Sequence, residues 1–70
     1  MLTKGRLALL RKGLTLKRLA QMLDVTEPYL SNVLSGRIHP SRVMLERIAA
    51  VLGLRPEEVQ QQVSANDADR

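Results

Sequence analysis

Seventy residues suffice for one domain with a thin core, because a chain this short buries only about 60% of the surface its unfolded form exposes. The lack of Cys excludes disulfides and thiolate metal sites, the single His leaves no protein-only zinc site, and no stretch approaches the ~20 apolar residues of a membrane span. The net charge of +4 is unevenly spread: residues 1–42 hold eight Lys and Arg against Asp24 and Glu27, whereas residues 43–70 hold three Arg against five acids, a distribution suited to one surface meeting a polyanion.

Apolar residues recur three and four apart and nowhere alternate cleanly, which predicts an all-α fold, a compact bundle of about five short helices. The first covers residues 3–11, with Leu7 and Leu10 on its inner face, and stops at Gly13. The second begins behind Thr15, whose hydroxyl can take an orphan first-turn amide, and turns Leu16, Leu19, Ala20 and Leu23 inward. The third starts at Thr26 and covers residues 27–35. Pro28 sits in its first turn, where the missing N–H costs nothing, Leu30, Val33 and Leu34 face inward, and Gly36 closes it in a left-handed conformation.

Residues 37–40 form a loop in which the following proline biases His39 to an extended backbone. Ser41 caps a fourth helix whose Met44, Leu45, Ile48 and Leu52 form the apolar stripe and Gly53 the stop. Pro56, Glu57 and Glu58 open a fifth helix, acidic side chains against its positive end, with Val59 and Val63 as its apolar face. The expected organisation is one domain, 1–63, and a flexible polar tail, 64–70.

Residues 16–33 carry the functional signal. Two helices crossing steeply need a small residue where their axes meet, and Ala20 supplies it. They need a sharp turn, which Asp24 and Val25 can make because Asp tolerates left-handed dihedrals. Leu30 and Val33 then point back from the second helix, and Val25 fills the corner. The stretches LTLKRLAQMLDVTEPYLSNVLSGRIHPS and MLERIAAVLGLRPEEV resemble the helix-turn-helix of the Cro/C1-type (XRE) repressor family over residues 14–59. Two positions depart from that family. Leu16 stands where Gln usually reaches a phosphate or assists a base contact, which passes that role to Thr15 or Lys17. Asp24 stands where the turn usually has Gly, at a strain of order 1 kcal/mol and with a carboxylate that repels phosphate.

The resemblance implies a lambda-repressor-like domain that binds double-stranded DNA in a sequence-specific way and represses transcription, with the third helix in the major groove. Glu27, Pro28, Ser31 and Asn32 are then the base-contact candidates; Asn32 can pair bidentately with adenine and Glu27 can accept from cytosine. Glu27 equally serves its helix N-terminus, and Pro28 equally presets the first turn. Phosphate contacts fall to Thr15, Lys17, Thr26, Tyr29, Arg37, Ser41 and Arg42; Tyr29 either bonds a phosphate or covers the core edge. Lys4, Arg6, Arg11, Lys12 and Arg18 read as solvated face, and His39 as a loop residue with a local partner.

A single module reads about half a turn of duplex, so a homodimer on a pseudo-palindromic operator is expected, with Leu54, Val59 and Val63 as interface candidates; for Leu54 the chain's own core competes. No cofactor or metal is implied. Without a Cys, a second His or paired carboxylates in an evident pocket, the chain does not read as an enzyme. The alternative within the resemblance is an antitoxin-type protein that binds a partner such as a toxin, or an antirepressor, and autoregulates its operon. The apolar stretch at residues 7–10 is too short for a signal-peptide core, so a cytoplasmic protein of bacterial or phage origin is expected.

Overall fold

The structure, a computed structural model, describes residues 2–63; the expected tail at 64–70 lies outside the described residues. Four helices follow one another, α1 (Lys4–Arg11), α2 (Leu16–Leu23), α3 (Glu27–Leu34) and α4 (Arg42–Leu52), and a 3-10 turn at Pro56–Glu58 closes the order.

Each helix starts behind a hydroxyl residue in an extended conformation whose side chain accepts a first-turn amide: Thr3 from Arg6, Thr15 from Arg18, Thr26 from Tyr29 and Ser41 from Met44. Such a cap stabilises its helix by about 1 kcal/mol. The four C-termini also share one device. A residue with positive φ (Gly13, Asp24, Gly36, Gly53) turns the chain, and the next amide returns to the carbonyl five residues earlier: Leu14 to Leu9, Val25 to Ala20, Arg37 to Asn32 and Leu54 to Ala49. This is the Schellman closure, which satisfies carbonyls the helix end would leave bare. The predicted caps and stops therefore stand where the sequence places them.

The core joins Leu9 of α1, Leu19, Ala20 and Leu23 of α2, Leu30, Val33 and Leu34 of α3, Ile48, Ala49 and Leu52 of α4, and Val59 beyond the 3-10 turn. Each fully buried Leu or Ile contributes roughly 1.5–3 kcal/mol relative to an exposed one. α2 packs on α3, while α4 packs on both α1 and the 3-10 turn. No helix among the described residues is long and apolar enough to cross a membrane.

Two expectations need correction. Leu10 is 64% exposed; α1 instead buries Gly5 and Leu9, which are four apart and so share one face, with Ala8 packed against the core and Leu7 half-buried off that face. The reason lies at Gly5, where a Cβ would stand 2.5 Å from the Val59 carbonyl oxygen and 3.1 Å from Leu34 Cδ2. Only a residue without a side chain permits that approach, so α1 is rotated to present it.

The second correction concerns the fifth helix. The chain makes only the 3-10 turn, continues through a turn at residues 59–60, and then forms an isolated antiparallel bridge between Thr3 and Gln62. Carbonyls that a continuing helix would consume go to the first turn of α1. Val59 O accepts from the Gly5 amide at 3.1 Å and Gln61 O from the Lys4 amide at 2.8 Å, and Val63 N donates to Leu2 O at 2.9 Å. At the turn, Glu58 accepts the Arg55 amide at 3.0 Å and pairs with the Arg55 and Lys4 side chains. That amide first, then the nearby cations, hold the Glu58 carboxyl below its usual range against the opposing effect of partial desolvation. Val59 is fully buried in its own chain, so it is not a face offered to a second copy.

Candidate nucleic-acid interface

The site is built on the joint between α2 and α3. Ala20 is 2% exposed, in keeping with a small residue at the crossing of two packed helices. Asp24 takes φ 58° and ψ 46°, which redirects the chain within one residue, and half-buried Val25 packs against the core beneath it. These local choices fix the direction in which α3 leaves.

α3 buries Leu30, Val33 and Leu34 completely. Apart from Tyr29, its remaining residues face away: Glu27 and Pro28 are exposed, and Ser31 and Asn32 are half-exposed beside them. These four stand at spacings of one, four and five, one polar strip opposite the apolar one. The main-chain carbonyl of Asn32 is engaged by the Arg37 and Ile38 amides, at 2.9 and 3.3 Å, whereas its side-chain amide has no partner among the described residues. Its donor and acceptor thus remain available together. The Tyr29 ring lies half-buried against the core, so it covers the core edge whatever its hydroxyl does.

The phosphate candidates surround this strip. Thr15, Thr26 and Ser41 are exposed N-caps whose oxygens accept helix amides; a hydroxyl used in this way keeps its own O–H to donate outward. Lys17 is exposed at the start of α2, and Leu16, where the Cro/C1 family usually has Gln, is half-buried against the core. Arg37 is exposed and has no ion pair among the described residues. Arg42 pairs with Glu46 one turn along α4 at 3.4 Å, both side chains more than half exposed. An exposed pair of this kind holds its arginine by 1 kcal/mol at most, little enough for a phosphate to displace. Of the interface candidates, Leu54 and Val63 are half-buried.

One residue that supports the site escapes sequence reasoning. Gln60 sends its Nε2 to the Val33 carbonyl at 2.9 Å and to the Ile38 carbonyl, and its Oε1 lies 3.3 Å from His39 Nδ1. One amide thus braces the end of α3 and the loop that carries Arg37, and it gives His39 its local partner. Nothing in the local pattern marks Gln60, because its neighbours suggest a helix and its partners lie 21 to 27 residues away.

A family model described as helix-turn-helix matches residues 6–59, which takes in all four helices but the first two residues of α1 and includes the 3-10 turn. No curated protein and no solved structure matches the chain. With the capped α2, the left-handed turn and the outward polar strip of α3 all inside the matched span, the chain belongs to the Cro/C1-type (XRE) helix-turn-helix family and is a double-stranded-DNA-binding transcription regulator.

Proposed function

We propose that this regulator is a repressor that inserts α3 into the major groove of a pseudo-palindromic operator and binds it as a homodimer. The observation that carries the reading is the division of α3 into a fully buried apolar strip and an outward strip of Glu27, Pro28, Ser31 and Asn32, flanked by Lys17 and Arg37, which have no ion pair among the described residues. A helix so divided offers base-reading chemistry on one side and a rigid mount on the other. Repression follows from occupancy, since a bound domain of this size blocks the promoter elements it covers.

Selection of bound sequences from random duplexes tests the proposal, repeated with Asn32→Ala and Arg37→Ala. Asn32→Ala should relax one base position by about 1–3 kcal/mol, whereas Arg37→Ala should weaken all sequences alike. With about five phosphates neutralised per subunit, log K should fall against log[salt] with a slope near −4 to −5. Enrichment of no sequence, together with a flat salt response, would contradict the proposal.

A further inference from the structure

Arg6 belongs to the set that reads from the sequence as solvated face, yet the fold does not leave it there. Arg6, Ser31, Leu34, Ser35 and Arg37 line an open depression of about 230 Å³ between α1 and the C-terminal half of α3. Of these, Leu34 is buried, and the other four carry two guanidinium groups and two hydroxyls. Neither arginine has an ion pair among the described residues. Two cations brought to one depression without a carboxylate repel each other, and an anion between them removes that repulsion.

The depression is also held in shape. The Thr3 hydroxyl accepts the Arg6 amide at 3.2 Å and donates to the Leu34 carbonyl. One side chain, 2% exposed, thereby fixes the root of Arg6 against the turn of α3 that carries Ser31 and Ser35. The hydroxyls are available as donors. That of Ser31 has no partner among the described residues. That of Ser35 donates at 3.2 Å to the Asn32 carbonyl, which already takes two backbone amides, so this bond is dispensable. Two guanidinium forks and two O–H groups form a donor set that suits the oxygens of a phosphate.

We infer that Arg6, Ser31, Ser35 and Arg37 form one phosphate-binding notch that clamps the duplex backbone at the C-terminal end of α3. The inference rests on the reading of α3 as the groove helix and adds to it a contact from α1. It also moves Ser31 from base reading to the backbone. The notch lies on the flank of α3, beside the loop that bears Arg37, where the rim of the groove passes when the outward strip faces its floor.

The test titrates a selected duplex at several salt concentrations with the full chain, Arg6→Gln, Arg6→Lys and Arg47→Gln. Arg47 is exposed on α4, so its loss removes the same charge elsewhere. Arg6→Gln should weaken all duplexes about fivefold or more and reduce the salt slope by about 1, with base preference unchanged. Arg6→Lys should restore the slope, and Arg47→Gln should leave it unaltered. Thermal melting of each variant identifies any loss of fold, in which case Ser35→Asp, which places a carboxylate in the notch, replaces Arg6→Gln and should weaken binding by more than tenfold. A second arm follows the arginine side-chain NMR signals during titration with inorganic phosphate at constant ionic strength. If Arg6→Gln matches Arg47→Gln while the parent chain retains its steep slope, the notch proposal fails and the groove reading stands. Saturation by inorganic phosphate with no change in slope likewise overturns the duplex clamp in favour of a free-anion site. If the parent chain binds no duplex, both readings fall together.

Discussion

Asp24 has a positive φ, which among the described residues it shares only with glycines. A left-handed conformation costs an L-residue roughly 1–2 kcal/mol, less for Asp and Asn, whose short polar side chains bond locally. The residue is exposed, so removing its side chain opens no cavity. Asp24→Gly relieves the strain and gives back part of the gain as unfolded-state entropy. The net expectation is about 0.5–1 kcal/mol of added stability, read as a higher denaturant midpoint at unchanged m-value. Asp24→Asn separates strain from charge: it keeps the tolerance for left-handed dihedrals and loses the carboxylate. If that carboxylate repels phosphate, both variants tighten duplex binding, whereas only the glycine variant stabilises the fold. A lower midpoint for Asp24→Gly would show that the aspartate contributes something the backbone argument omits.

Gly5 shows why a helix cannot be judged by propensity alone. In an exposed helix interior, replacing Gly by Ala gains up to about 1 kcal/mol. Here the added Cβ would stand 2.5 Å from the Val59 carbonyl oxygen, so α1 or the 59–63 segment must move. Either movement strains the hydrogen bonds from Lys4 and Gly5 to Gln61 and Val59 and unseats Val59 from the core. Gly5→Ala should therefore destabilise by about 2–3 kcal/mol, lowering the melting temperature by roughly 10 °C or more; an unchanged or raised value would refute the close approach. The same contact explains what the sequence could not reveal. Caps and stops such as Thr15, Thr26, Gly36 and Gly53 are local chemistry, and the outward strip of α3 follows from the spacing of Leu30, Val33 and Leu34. In α1, by contrast, Leu7, Leu9 and Leu10 admit more than one inner face within two turns, and the choice falls to Val59 and Leu34, residues distant in sequence. The fifth helix fails for a similar reason, since its carbonyls satisfy the amides of α1. Gln60 and Arg6 act through partners that no periodicity reports.

On the scale of the whole molecule, dimension and charge bear on dimerisation together. The chain measures 33 × 23 × 20 Å, close to the ~34 Å that separates half-sites one helical turn apart. Two copies reading such half-sites therefore stand side by side on one face of the duplex with room to touch. A stable interface covers about 800 Å² of each partner, more than a sixth of the 4548 Å² surface here. With Val59 inside the core, the apolar C-terminal face is reduced to the half-buried Leu54 and Val63. Two free copies of charge +4 also repel each other, whereas on DNA the phosphates neutralise that charge. The expectation is a monomer in free solution at micromolar concentration and two copies bound cooperatively on a full operator. Sedimentation with and without the duplex measures the stoichiometry, and inserting half a helical turn between the half-sites measures the coupling. That insertion places the two copies on opposite faces of the duplex, so cooperativity should disappear while single-site affinity persists. One copy per full operator, or two copies indifferent to the spacing, would remove the dimer from the mechanism and leave the specificity to a single recognition helix.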